Sequence, residues 1–297
     1  MLRFQRSIPI PPHLPSEFDH GDVHRASGRV FVAHTQPGSV EVLDGEQGTH
    51  LATISGCLEA SGVLVAQDAN LVFAAARGAG KILVIDALNL TVQREITVDP
   101  RPNGLAWDPI HQHLLVADVQ QNTARLVNLA GETLAVTPLL GRPRWCVYDG
   151  IHAQFLVNIR EPACVQILAS QIALPITTWP VAAVGPHGLD VDPVQNRAFI
   201  ACDDGQFLAL DLGNGQEVGR TTIAGTPDAI WCNIAQAQVY VAIEDPGVID
   251  VVDISTLQVI QSLPTDAGAH TTAFDPDRHW LSVFLPTTCQ ADVFLTR

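Results

Sequence analysis

The chain has 297 residues, 47% of them apolar and 16% charged, which excludes a disordered or coiled-coil polypeptide and supplies enough apolar side chains for a large core. Its 31 acidic residues outnumber 16 basic ones, giving a net charge of -15, so the average face of the molecule repels nucleic acid and anionic membrane surfaces. Six cysteines form no CxxC pair and sit mostly within apolar runs, the pattern of reduced thiols buried in a cytoplasmic protein.

The first residues, MLRFQRSIPIPPHLP, lack the continuous apolar stretch and small-residue cleavage site of an export signal. Residues 1–17 read as an alternating edge strand followed by a Pro-rich linker. From there a repeat governs the chain. PNGLAWDPIHQHLLVADV (102–119) and PHGLDVDPVQNRAFIACD (186–203) share Pro, Gly, Leu, Asp and Pro in step, and the same frame fits five further segments. Asp19, Ser61, Asn103, Arg144, His187, Asp228 and His270 recur at intervals of 41–43 residues. Ala33, Ala75, Ala117, Asn158, Ala201, Ala242 and Phe284 repeat the same spacing independently. The units fall near 18–56, 57–99, 100–141, 142–184, 185–225, 226–266 and 267–297.

Within a unit the apolar runs are short, rich in Val, Ile and Leu, and bounded by Gly, Pro, Asn and Asp; in the second unit they cover 62–65, 71–75, 81–85 and 92–98. Four antiparallel strands per about 40–45 residues is the signature of a propeller blade. The expected fold is therefore all-β, a seven-bladed β-propeller occupying the whole chain. Residues 162–189 carry no charge, but Pro175, Pro180 and Pro186 interrupt them, so they read as two buried strands and a loop rather than a membrane span. The last unit holds three strands, at 271–274, 280–285 and 291–296, and residues 2–8 are expected to supply the fourth, closing the ring.

Polar positions sort by rim. Asp108, Asp149, Asp192, Asn233 and Asp275, together with Asp44, Asp86, Asn128, Asp211 and Asp253, repeat in most blades and suit turn chemistry, in which the side chain bonds backbone two residues on. His24 shares that position. At the other rim the blades differ, and function is written where equivalent positions disagree. His187, Asp228, His270 and Asp19 come from consecutive blades and are a candidate ligand set for a divalent ion (Zn, Mn, Fe or Ca), while the same positions also suit a water-filled polar channel. Arg144 is the candidate for stabilising a developing oxyanion, Trp145 for a substrate platform, and Glu59 for a general base. At the residue after each ring position, only His20 and Trp145 are large. Asn103, His20, His34, Arg77, Asp118, Arg160, Asp203 and Glu244 complete the candidates for contact with a small-molecule substrate or ligand, or stand as ordinary loop residues. Cys202 beside Asp203 is a nucleophile candidate without a supporting Cys–His signature, and Trp107 and Trp231 are expected to pack between blades.

The stretches SVEVLDGEQG (39–48), KILVIDALNL (81–90), FLALDLGNGQ (207–216) and VIDVVDISTL (248–257), each after a segment such as FVAHT or VYVAI, resemble the YVTN-type repeat of seven-bladed propellers along essentially the whole chain. In blade number and size the chain also resembles lactonase-like and streptogramin-lyase-like propellers. Those resemblances imply metal-assisted opening of a lactone or related ester in the central channel; the alternative they leave is a non-catalytic module that binds a ligand or a protein.

Overall fold

The structure, a computed structural model, describes residues 1–296; Arg297, expected to belong to the seventh unit, lies outside the described residues. Each apolar run of the repeat forms a strand. After β1 (Leu2–Pro9), blade one holds β2–β5 (Phe18–His24, Arg29–His34, Ser39–Asp44, Thr49–Ser55) and blade two holds β6–β9 (Ala60–Ala66, Leu71–Ala76, Lys81–Asp86, Val92–Thr97). Blade three holds β10–β13 (Pro102–Asp108, His113–Asp118, Thr123–Asn128, Thr133–Pro138) and blade four holds β14–β17 (Pro143–Asp149, Gln154–Ile159, Cys164–Ala169, Pro175–Pro180). Blade five holds β18–β21 (Pro186–Asp192, Arg197–Cys202, Gln206–Asp211, Glu217–Thr222) and blade six holds β22–β25 (Thr226–Asn233, Gln238–Asp245, Val248–Asp253, Gln258–Pro264). Blade seven holds β26–β28 (Thr271–Asp275, Trp280–Leu285, Gln290–Thr296). Every blade is a four-stranded antiparallel sheet in chain order, the seventh completed by β1.

Burial follows position in the blade. All six residues of β7 are buried, as both faces meet neighbouring blades, whereas the outermost strands β5 and β9 are largely exposed. The cores lie between blades: Phe31 and Val42 of blade one pack with Val63, Val72 and Leu83 of blade two, and equivalent clusters follow around the ring. The uncharged segment at 162–189 holds two buried stretches of strand, β16 and the first four residues of β18, but a third strand stands where a loop is expected. β16 is buried, but β17 is an outer strand on which only Trp179 is covered.

Closure occurs where the sequence places it. β1 runs antiparallel to β28, with Leu2 opposite Thr296 and Ile8 opposite Ala291, and Ile10 N–H donates to Cys289 O at 3.0 Å. Leu2 and Ile8 are buried, and β26 packs against β2 to complete the circle of inner strands. Among the described residues no helix is long and apolar enough to cross a membrane.

The repeated Asp positions act as turn acceptors. Asp108 Oδ1 accepts the Ile110 and His111 N–H groups at 2.9 and 3.2 Å, and Asp44, Asp86, Asp149, Asp192, Asp211, Asp253 and Asp275 repeat the pattern. Asn233 departs from it: its amide donates to Tyr240 Oη at 2.8 Å, and a short 3-10 turn (Ile234–Gln236) follows. His24 is held in its turn by Ser27 and Asn70, a structural role.

Candidate functional site

At the start of the inner strands, the pairing with the second strand of the blade shifts register in six of the seven blades. The residues left between paired positions are Asp19–His20, Ser61–Gly62, Asn103–Gly104, Arg144–Trp145, His187 and Asp228–Ala229. A β-bulge of this kind re-aims side chains, here from the interface between blades into the channel.

Of these residues, Asp19, His20, Asn103, Arg144, Trp145, His187 and Asp228 line a chamber of about 240 Å³, and Arg77 of blade two, His270 of blade seven, Glu17 and Glu244 complete it, so that all seven blades contribute. Charge pairing runs through it. His187 Nδ1 lies 2.9 Å from Asp203 Oδ1 and its Nε2 lies 3.2 Å from Asp228 Oδ1, while the Arg144 guanidinium also reaches that imidazole. His270 donates from Nδ1 to Gly268 O at 2.9 Å, leaving Nε2 3.8 Å from Asp228 Oδ2. Asp19 faces Arg77 at 3.6 Å. Burial disfavours the charged form of His187, but Asp228 and Asp203 outweigh it and raise the pKa; His270 is raised likewise against burial by Asp228 and Asp19. Burial would raise the Asp228 carboxyl, yet His187, His270 and Arg144 hold it far below the usual carboxylate range.

Two buried polar atoms of this chamber, Arg144 Nε and Asn103 Oδ1, have no hydrogen-bond partner among the described residues, whereas Arg77 Nε faces the Glu59 carboxylate at 3.8 Å. The basic side chains come from blades two and four, and Glu17, Asp19, Asp228 and Glu244 come from blades one and six. The chamber is thus polarised across its width.

Its floor is a ring stack: His20 and Trp145 lie with centroids 4.1 Å apart and planes at 27°. Beyond them, towards the opposite rim, a wider cavity of about 660 Å³ is walled by Trp107, Trp145, Tyr148, Trp231 and aliphatic side chains, with Asp22 and Asp190 in its lining.

No protein-family model and no curated protein matches the chain. Among solved structures, a chain from "Crystal Structure of Mitotic Checkpoint Complex" is similar with a TM-score of 0.84 and 15% identity, covering 99% of this chain and 93% of that one. The likeness is one of fold: the chain is a seven-bladed β-propeller.

The candidates from sequence divide accordingly. Asp19, His187, Asp228, His270, Arg144, Trp145, Asn103, His20, Arg77 and Glu244 meet in the chamber. Asp203 stands behind His187, and Arg160 behind Asp203 at 2.8 Å. Glu59 does not reach the chamber lining; its carboxylate is taken by Arg101 at 2.9 Å and approached by Arg77 at 3.8 Å on the rim. His34 is no rim residue: it is buried in blade one, stacked on Phe18 and bonded to Ser16 Oγ at 2.8 Å. Asp118 caps its own loop by accepting from the Gln120 and Gln121 N–H groups. Cys202 is fully buried, and burial pushes its thiol above the ordinary range, which removes it as a nucleophile.

The four candidate ligands do not form a cage for a cation. Both oxygens of Asp228 are turned to imidazoles, Asp19 faces an arginine, and the guanidinium of Arg144 sits against His187. Among the described residues no group of three or more His, Cys, Asp or Glu is disposed to hold a metal ion. Sequence reasoning missed Glu17, which carries no repeat landmark, and the whole second cavity. Trp107 and Trp231, expected only to pack between blades, form part of its wall.

Proposed function

We propose that this propeller is a non-catalytic binding protein whose polarised chamber takes a small dipolar ligand. The anionic group of the ligand meets the arginines of blades two and four, and its cationic group meets the acidic side. The observation that carries this reading is the pair of buried polar atoms without a hydrogen-bond partner among the described residues, Arg144 Nε and Asn103 Oδ1, in a chamber built from every blade. A donor and an acceptor left in that position ask for a polar partner. Arginines surround the anionic end: Arg142 feels Arg144, Arg160, Arg77 and Arg101, a local basic field in a chain with a net charge of -15.

The lactone-opening reading has less to rest on, because its general base is engaged on the rim. The similar propeller is part of a mitotic checkpoint complex, and membership of an assembly accords with binding rather than turnover. The six unpaired thiols, five of them buried, support a cytoplasmic setting.

The test is calorimetric titration of γ-aminobutyrate against succinate and butylamine. Saturable binding of the dipolar probe, weakened by R144Q and R77Q, is expected. Equal binding of all three probes, or hydrolysis of a lactone panel that disappears in H187A, would overturn the proposal and reinstate the hydrolase.

A further inference from the structure

The wider cavity at the opposite rim is separated from the chamber by the His20–Trp145 stack and has a different chemistry. At about 660 Å³ it is of the size that small-molecule sites occupy. Trp107, Trp145, Tyr148 and Trp231 form walls of aromatic faces, and Val63, Val65 and Leu105 fill the spaces between them. Two carboxylates stand in this apolar lining, Asp22 on blade one and Asp190 on blade five.

Both carboxylates clasp the next blade. Asp22 accepts from Val23 N–H and Val65 N–H, each at 2.7 Å; Asp190 accepts from Val191 N–H at 2.8 Å and Cys232 N–H at 2.7 Å. The clasp is not a requirement of the fold, because the equivalent positions in the other five blades are Leu64, Ala106, Val147, Trp231 and Ala273. Each carboxylate oxygen so engaged retains a lone pair for a second donor, and both side chains stay partly accessible. Arg25 at the mouth is paired to Asp277 at 2.6 Å and acts on Asp22 only at a distance.

We propose that this cavity binds an organic cation with an apolar body, an aromatic or alkyl amine, its ammonium group held by Asp22 and Asp190 and its body by the tryptophans. Aromatic faces attract cations through the ring quadrupole, and the attraction grows as water is excluded. Carboxylates in an apolar wall gain more from a cationic partner than exposed ones do. The acidic chain as a whole draws cations towards the mouth.

Burial raises the Asp22 carboxyl to about 7 and the Asp190 carboxyl to about 6, each acting on a site whose other titratable groups include Asp68 and Arg25 at the mouth, His20 in the floor and Asp192 behind Asp190. An amine that binds therefore displaces protons from them, and its affinity rises with pH.

The experiment uses phenethylamine as the probe, with 2-phenylethanol as the neutral isostere and phenylacetate as the anion, read by tryptophan fluorescence and calorimetry on the full chain. Phenethylamine binds at least roughly tenfold more tightly than the alcohol, phenylacetate does not bind, and D22N/D190N removes the preference. Should that variant fail to fold, the wild-type protein decides: the amine's affinity increases between about pH 5.5 and 8 while the alcohol's stays level. Equal affinity for amine and alcohol, an amine affinity level with pH, or no saturable amine binding overturns the proposal.

Discussion

His20 of blade one and Trp145 of blade four meet across the channel in a stack with a centroid separation of 4.1 Å, and this contact divides one channel into two chemically distinct cavities. Burial lowers the His20 pKa despite Asp19 and Asp228, so the stack is formed by a neutral ring at physiological pH. H20A should uncover the indole of Trp145 and cost about 1 kcal/mol of stability. Acrylamide quenching of tryptophan emission checks this, with W145F to identify the responding residue. Quenching equal to that of wild type would mean that the two rings do not touch in solution.

The ring closes through β1, whose backbone pairs with β28 and whose Leu2 and Ile8 side chains are buried. Removing residues 1–9 uncovers the β28 edge and opens the junction between blades seven and one. Because each blade is supported by its neighbours, the loss is expected to lower the melting temperature of the whole protein rather than fray one end. Equal melting temperatures for truncated and full-length chains would refute closure as a source of stability.

The architecture was legible because Asp19 through His270 beat at a fixed interval and because turn aspartates recur with them; both signals are properties of chain order alone. The ring positions were legible for the same reason, and His20 and Trp145 stood out as the two large residues in their series. The directions of side chains were not. His34 is the last residue of β3, whereas Arg77 and Arg160 lie one residue beyond β7 and β15; its repeat position is that of Ala76 and Ile159, which are buried too, and there it meets Glu41. Glu59 sits with φ at 49° beside two arginines that retain it on the rim. The aromatic cavity was not legible because its walls occupy equivalent inner-strand positions whose residue types change from blade to blade: Trp107 and Tyr148 share one position, and Trp231 shares that of Asp22 and Asp190.

Glu41 offers a direct measure of that buried attraction. Burial would raise its carboxyl, but His34, Ser39, Thr53 and His50 hold it down at about 2. A carboxylate depressed below its ordinary 4.5 contributes stability above that value and loses it as pH falls towards 2. E41Q should cost about 2 kcal/mol at neutral pH and flatten the acid limb of the stability profile, measured by urea unfolding at a series of pH values. An acid limb as steep as that of wild type would show that Glu41 titrates normally.

In the chamber the sign is opposite. His187 and His270 are raised above their ordinary 6.5, so what they contribute to stability is complete below that pH and is lost as pH rises through their raised values. Asp22 and Asp190 also make stability fall with pH, but in the window from 3.8 to about 7, so the histidine contribution is read at higher pH. H187Q and H270Q should each lose part of the decline there, and D228N should lose most of it. Unchanged slopes in all three variants would exclude Asp228 as the common partner.

The inner strands leave no room beside the ring position of blade five. A Cβ on Gly188 would lie 2.3 Å from the Asp228 carbonyl oxygen and 2.8 Å from Ile230 Cγ2 of the next blade, so blade six must move if the residue has a side chain. Overpacking of this kind costs about 2–3 kcal/mol, and here it also displaces the carboxylate that joins His187 to His270. G188A is therefore expected to lower stability and to erase the histidine-dependent decline at alkaline pH, two effects that a merely looser fold would not couple. Gly150 is the matched control, since its added Cβ would meet only Tyr148 Cε1 at 3.5 Å, an ordinary contact. G150A should stay within about 0.5 kcal/mol of wild type with its pH profile intact. If G188A matches G150A in both measurements, the spacing of the inner strands is not what demands glycine there, and the coupling between blades five and six must run through side chains alone.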